Sequence, residues 1–156
     1  MAAERTPLRI GVVSTASIAS KNFLAISEAR GAVVTAISSR TLSKAQAWSD
    51  ARGGGLKCYG SHAEMFADAD VDAVYIPAPT GVRQPLVLAA AAAGKSVVAE
   101  KPIAPTTAEA QAEIDACKAA GGASVLRERI RAHNAVTHPS RRSLSPCRRQ
   151  SSLWTV

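Results

Sequence analysis

Short apolar runs alternate along the chain with longer stretches in which apolar residues recur every three or four positions. Short runs bounded by glycine or polar residues are typical of buried β-strands, and the longer period is typical of amphipathic helices. The sequence predicts strands at residues 8–14, 32–39, 56–60, 71–79, 96–100 and 123–126. It predicts helices at residues 17–30, 43–52, 61–68, 83–94 and 106–121.

Helix ends are marked by residues with a known capping chemistry. Ser61 and Glu64, and likewise Thr106 and Glu109, have the spacing of a capping box, in which each side chain binds the other residue's backbone N–H. Gly94 follows an alanine-rich helix at the position where glycine commonly ends one. These signals fix where the helices begin and end.

Regular alternation of strands and helices predicts right-handed crossovers and a parallel sheet. The predicted fold class is therefore α/β, a doubly wound parallel sheet. Such sheets bind ligands at the carboxyl ends of their strands. The chemically suggestive residues lie at the carboxyl ends of predicted strands: Ser14, Ser39, residues 77–80, and Glu100 with Lys101.

The net charge of +7 is concentrated in the last part of the chain. Residues 1–121 hold 12 Lys and Arg against 11 Asp and Glu, whereas residues 122–156 hold 7 Arg against Glu128 alone. We therefore expect one α/β domain over residues 1–122 and a basic Arg/Ser-rich tail over 123–156. Beyond the strand at 123–126 the tail has no helical or strand period and is predicted to be disordered. This change from alternating strand and helix patterns to a basic segment without either period also suggests an out-of-frame or alternatively spliced ending.

Several classes of protein are disfavoured by composition. The amino terminus has no apolar signal-peptide core, and the apolar run at 86–94 is too short to span a membrane. Cys58, Cys117 and Cys147 show no metal-ligand spacing. We therefore expect a cytoplasmic protein with no metal site.

Seven arginines give the tail some affinity for phosphate, but Trp154 is its only aromatic residue, so a solvated tail is favoured over a nucleic-acid interface. His133 and His138 lie in this tail and are assigned no catalytic role.

The first strand-to-helix turn is the place where a dinucleotide fingerprint would occur. Its glycines let the backbone approach a pyrophosphate at the helix N-terminus. Here the three glycine positions hold Ser14, Ala16 and Ala19, which are small residues. Phosphate contact with residues 14–18 is predicted, although turns of small residues also occur in α/β proteins that bind no nucleotide.

The end of the second strand discriminates between nicotinamide cofactors. An acid at this point commonly binds the ribose 2′-hydroxyl of NAD, whereas an arginine accommodates the 2′-phosphate of NADP. The sequence here has no acid and offers Ser39 and Arg40. NADP is therefore favoured over NAD, the alternative being that Arg40 is a solvated surface arginine.

Four segments together resemble the glucose–fructose oxidoreductase/inositol dehydrogenase/MocA (Gfo/Idh/MocA) family of NAD(P)-dependent oxidoreductases. They are LRIGVVSTASIA, ISSRTLSKAQAW, YIPAPT and, most specific, GKSVVAEKP. The resemblance covers roughly residues 8–122 and is greatest for the branch with xylose and dihydrodiol dehydrogenases. Two departures are Ser14 at the first glycine position and Arg83 where the family commonly has histidine.

The resemblance implies a role for the Glu-Lys-Pro segment. Lys101 would lie between the nicotinamide ribose and the substrate hydroxyl and act as the catalytic residue, Pro102 would restrain its turn, and residues 75–80 would line the groove. A solvated lysine at a strand end is the alternative. The expected cofactor-binding residues are Ser14, Thr15, Ala16, Ser17, Ile18, Ser39, Arg40, Pro77, Pro79, Thr80, Glu100 and Lys101.

The family also has a second domain that closes over the substrate, and this sequence shows no match to it. The resemblance therefore implies the NADP-binding domain of an oxidoreductase for a sugar, polyol or dihydrodiol, with little or no turnover by these 156 residues alone. The alternative is a non-catalytic NADP-binding or interaction module with a basic tail. Homo- or hetero-oligomers are compatible with both.

Overall fold

A computed structural model describes residues 6–121 and 124–126, and in it six strands form one all-parallel sheet. The strand order is β3-β2-β1-β4-β5-β6. The strands are β1 (Leu8–Val13), β2 (Ala32–Ser38), β3 (Lys57–Tyr59), β4 (Ala73–Ile76), β5 (Ser96–Ala99) and β6 (Ser124–Leu126). The predicted tail from residue 127 onwards, with His133 and His138, lies outside the described residues.

Five helices connect the strands. They are α1 (Ser17–Ser27), α2 (Leu42–Asp50), α3 (His62–Ala67), α4 (Thr80–Ala92) and α5 (Thr107–Ala119). The chain leaves β1 towards β2 on one side and returns to β4 on the other, so the strand order reverses between β1 and β4. The prediction of a doubly wound parallel sheet is confirmed. None of the helices in the described ranges is long and apolar enough to cross a membrane.

Alternate side chains of the strands build a separate core on each face of the sheet. Ile10, Val12 and Tyr75 pack on one face, where Ala19 of α1 and Trp48 of α2 cover them. Residues of opposite parity belong to the other core: Val13, Val74 and Ile76 on the strands, with Met65, Phe66, Val87 and Cys117 on α3, α4 and α5. Strands buried on both faces read as unbroken apolar runs, which explains their appearance in the sequence.

Gly11 of β1 faces the Met65 side chain of α3. A Cβ added there would lie 2.9 Å from the Met65 sulfur and 3.1 Å from a Val71 methyl. The glycine thus lets α3 pack directly against β1.

The helix boundaries agree with the capping signals, except at α4. The Ser61 side chain accepts from the Glu64 N–H at 3.2 Å. α4 begins at Thr80, before the predicted start at residue 83, and β4 is shorter than predicted. Pro85 inside α4 removes one helical hydrogen bond. The helix persists because its inner face is buried through Val87 and Ala90.

Candidate functional site

A cavity of about 620 Å³ opens at the carboxyl edge of the sheet, where β1, β2 and β4 end. It lies at the reversal of strand order, where doubly wound sheets bind ligands. Its lining residues are Ser14, Thr15, Ser39, Arg40, Lys44, His62, Ala78, Pro79, Val82, Pro85 and Leu86. Five of the predicted cofactor-binding residues (Ser14, Thr15, Ser39, Arg40 and Pro79) are among them.

The turn after β1 has the backbone of a glycine turn although it contains none. Ser14 has φ of +77°, in the left-handed region that glycine adopts most readily. Its N–H donates to the Ser38 carbonyl at 2.8 Å, which ties the turn to the end of β2. Ala16 then precedes α1 as its N-cap, and no side chain caps the helix.

Ser17 and Ile18 begin the first turn of α1 and are exposed. With Ala16, they lie beside the cavity without lining it. The first N–H groups of a helix have no carbonyl partner within it, so this turn offers backbone donors next to the cavity.

The end of β2 contributes the cavity's cations. Ser39 is buried, and its N–H donates to the Tyr59 carbonyl at 3.1 Å. Arg40 is exposed, and Lys44 follows it on the first turns of α2. No carboxylate is among the described residues that line this cavity. The cavity is therefore suited to an anion.

Sequence reasoning missed five of the lining residues: the polar Lys44 and His62, and the apolar Val82, Pro85 and Leu86 of α4. A signal for Lys44 was present, because it lies four residues after Arg40 at the start of a predicted helix. No sequence signal marks His62. Its place at the site depends on a contact between α3 and β2, in which its Nδ1 lies 2.9 Å from the Ser38 hydroxyl. Burial lowers the pKa of His62.

The turn between β4 and α4 lies only partly in the cavity wall. Ala78 and Pro79 line it, whereas Pro77 is buried and Thr80 begins α4. The expectation that Tyr75 lines the groove is wrong. Tyr75 is 2% exposed, its ring belongs to a core, and its hydroxyl donates to the Glu100 carboxylate at 2.8 Å.

Glu100 and Lys101 follow β5 and do not line the cavity. The Glu100 carboxylate also accepts from the Asn22 amide at 3.0 Å, and this amide contacts the Tyr75 hydroxyl as well. These bonds hold Glu100 against α1 and β4. Lys101 is exposed, and the Lys101–Pro102 peptide bond is cis.

No group of three or more His, Cys, Asp and Glu able to hold a metal occurs in the part of the chain that the structure describes.

Comparison with known proteins places this architecture in a family. Residues 8–126 match the Gfo/Idh/MocA profile, described as an oxidoreductase family with an NAD-binding Rossmann fold. The chain is 37% identical over 114 residues to D-xylose 1-dehydrogenase (NADP(+)) 2 of Haloferax volcanii, covering 73% of this chain and 35% of that protein. It is 33% identical over 110 residues to trans-1,2-dihydrobenzene-1,2-diol dehydrogenase of Xenopus laevis, covering 69% and 33%.

A solved relative shares the fold. The crystal structure of KijD10, a 3-ketoreductase from Actinomadura kijaniata in complex with NADP and TDP-benzene, matches with a TM-score of 0.73 and 31% identity. The match covers 78% of this chain and 37% of KijD10. The chain thus spans about a third of the length of each of these relatives. With its fold, its switch-point cavity and these similarities, the chain belongs to the Gfo/Idh/MocA family of oxidoreductases.

Proposed function

We propose that this chain binds NADP across the carboxyl edge of its sheet and serves as the nucleotide-binding domain of an oxidoreductase. The observation that carries the proposal is the cavity at the switch point, which Arg40 and Lys44 line without a carboxylate. Such a cavity suits a ligand with several phosphates.

The residues of the first turn fit a pyrophosphate. The left-handed Ser14 turns the chain into α1, and the uncapped helix leaves backbone N–H groups for phosphate oxygens. Residues 14–18 would hold the pyrophosphate through these donors, helped by the hydroxyls of Thr15 and Ser17. The methyl group of Ala16 makes this approach tighter than a glycine would.

The end of β2 would hold the adenosine ribose. The Arg40 guanidinium and the Ser39 hydroxyl are the groups that distinguish a 2′-phosphate from a 2′-hydroxyl. The names of two relatives support NADP, since the H. volcanii enzyme is a dehydrogenase for NADP(+) and KijD10 was crystallised with NADP. Pro77, Pro79 and Thr80 would border the cofactor on the β4 side.

The nicotinamide end would lie towards Glu100 and Lys101. When bound, NADP supplies or accepts a hydride. The role of Lys101 is then to orient the substrate oxygen and stabilise the negative charge that develops on it. Glu100 would border this end of the groove, and its bonds to Asn22 and Tyr75 keep its carboxylate fixed.

The names of three relatives indicate the substrate class, because they give as substrates D-xylose, a dihydrodiol and a ketosugar nucleotide. We propose that the whole protein oxidises or reduces a hydroxyl or carbonyl group of a sugar or polyol. The remaining alternative is a non-catalytic NADP-binding module. Turnover of aldoses, polyols and dihydrodiols by the whole protein separates the two, because a binding module retains NADPH affinity without turnover.

The cofactor assignment is tested by Arg40→Ala. NADPH binding should weaken by about 1.5–3 kcal/mol, as expected for a lost charge-assisted hydrogen bond, while NADH binding should barely change. Fluorescence titration of both cofactors measures the difference. Arg30→Ala is the matched control, because Arg30 is also exposed but borders a different cavity at Leu8 and Asp72. Equal losses for NADPH and NADH in Arg40→Ala would contradict the choice of NADP.

A further inference from the structure

Arg83 is a charged side chain that the proposed function leaves unexplained. It lies on α4 and is only 1% exposed. Its Nε donates to the Ala78 carbonyl at 3.1 Å, and its Nη2 donates to the Thr80 hydroxyl at 3.2 Å. Its Nη1 donates to the carbonyls of Glu100, of Pro102 at 2.5 Å and, at the longer distance of 3.4 Å, of Ile103.

The Glu100 and Pro102 carbonyls, the two nearest partners of Nη1, flank Lys101 in the sequence. One guanidinium therefore holds the backbone immediately before and after the lysine. The bonds to Ala78 and Thr80 anchor the same guanidinium to the end of β4 and the start of α4. Arg83 thus joins two strand ends at the carboxyl edge and fixes the backbone from which Lys101 projects.

This arrangement needs an arginine. Its planar fork directs donors in several fixed directions, whereas a lysine ammonium cannot bind carbonyls on both strand ends with the same geometry. A buried cation is costly without compensation. Burial lowers the pKa of Arg83, and the nearby charges of the buried Glu113 and of Glu100 oppose this shift.

We propose that Arg83 is a positioning residue for Lys101, acting through the carbonyls on either side of it. The inference rests on the proposed role of Lys101 at the nicotinamide end of the groove. It predicts that loss of the guanidinium displaces Lys101 while leaving most cofactor affinity intact, because Arg83 does not line the cavity.

The test uses NMR spectra of the full chain labelled with ¹⁵N at lysine, with the Lys101 amide assigned from Lys101→Arg. In Arg83→Lys we expect the Lys101 signal to shift and broaden without ligand, and to lose more than half of its response to saturating NADPH. The dissociation constant of NADPH should stay within about threefold, since no cavity contact is removed. If Arg83 only supported the fold, Arg83→Lys would lower stability, and any loss of the Lys101 response would come with an equal loss of NADPH affinity.

Arg52→Lys is the matched control. The Arg52 guanidinium also binds a carbonyl, that of Trp48 at 2.8 Å, but it joins α1 to α2 and stacks 3.7 Å from the Trp48 ring. This variant should leave the Lys101 signal unchanged. If Arg83→Lys does not fold, Arg83→Met/Glu113→Gln removes the cation together with its buried counter-charge and should give the same Lys101 changes.

The outcomes separate this inference from the proposed function. A folded Arg83 variant whose Lys101 signal keeps its wild-type position and NADPH response overturns the positioning role. Wild-type protein that binds NADPH without any response at Lys101 contradicts the nicotinamide placement instead. The spectra without ligand still decide whether Arg83 fixes the lysine.

Discussion

Ser14 occupies a backbone conformation that disfavours any residue with a side chain. At φ of +77° a non-glycine residue costs on the order of 1–3 kcal/mol. Replacement by glycine removes that strain but loses some stability through the greater freedom of the unfolded chain. We expect Ser14→Gly to raise the free energy of unfolding by about 1 kcal/mol in urea denaturation.

Ala16→Gly provides the comparison within the same turn. Ala16 has φ of −59° and ψ of 151°, which alanine adopts without strain. Glycine there should lower the free energy of unfolding by about 0.5–1 kcal/mol, because only the entropic term applies. If both glycine variants change stability in the same direction, strain at Ser14 is not the cause.

Some site residues can be predicted from the sequence and others cannot. Ser14 and Arg40 were predicted because Ser14 ends one predicted strand and Arg40 follows another, and ligands bind at those ends. Arg83 gives no such signal, since an arginine on a helix is usually exposed. Its burial depends on carbonyls at residues 100 and 102, which only the paired strands bring near.

The capping box of α5 is the element for which the sequence was most informative. The Glu109 N–H donates to the Thr106 hydroxyl at 3.3 Å, and the Thr106 N–H donates to the Glu109 carboxylate at 3.2 Å. Thr106→Ala removes the acceptor for a helix N–H and should lower the free energy of unfolding by about 1 kcal/mol. Urea denaturation measures it.

Thr107→Ala is the control for this cap, because Thr107 is the first helical residue and adds no capping bond. Its effect should be small or slightly stabilising, since alanine is the better helix former. Equal destabilisation by the two substitutions would mean that the threonine methyl groups, and not the cap, support α5.

Element types and order were predicted well because β1, β2 and β4 are mostly buried on both faces and the helices are buried on one. The start of α4 was predicted three residues too late for a tertiary reason. Gly81 disfavours helix, yet α4 includes it because Arg83 and Val87 are buried on the inner face of the helix. Burial of this helix face outweighs low local helix propensity, and the burial cannot be read from the sequence alone.

At the scale of the whole molecule, ion pairs and charged hydrogen bonds connect the strands at the edge of the sheet opposite the cavity. Asp72 accepts from the Arg9 N–H at 2.9 Å and forms an ion pair with its guanidinium at 2.7 Å. Lys57 reaches Asp68 at 3.2 Å and Asp70 at 2.5 Å. These bonds join β1 and β3 to the segment that leads into β4, so several strands share one electrostatic network.

This network makes the stability of the fold dependent on pH. Hydrogen bonds from Arg9 hold the pKa of Asp72 at about 2, below its ordinary value of 3.8. A carboxyl whose pKa is lower in the folded state stabilises fully above its unfolded pKa, and this contribution disappears as the pH falls through the folded pKa. The free energy of unfolding, measured in urea, should therefore fall between about pH 4 and pH 2.

Asp72→Asn should be less stable at neutral pH and lose less stability on acidification, because its amide does not titrate. Asp115→Asn, on the exposed face of α5, should keep the wild-type profile. An Asp72→Asn profile as steep as that of the wild type would place the acid sensitivity elsewhere in the molecule.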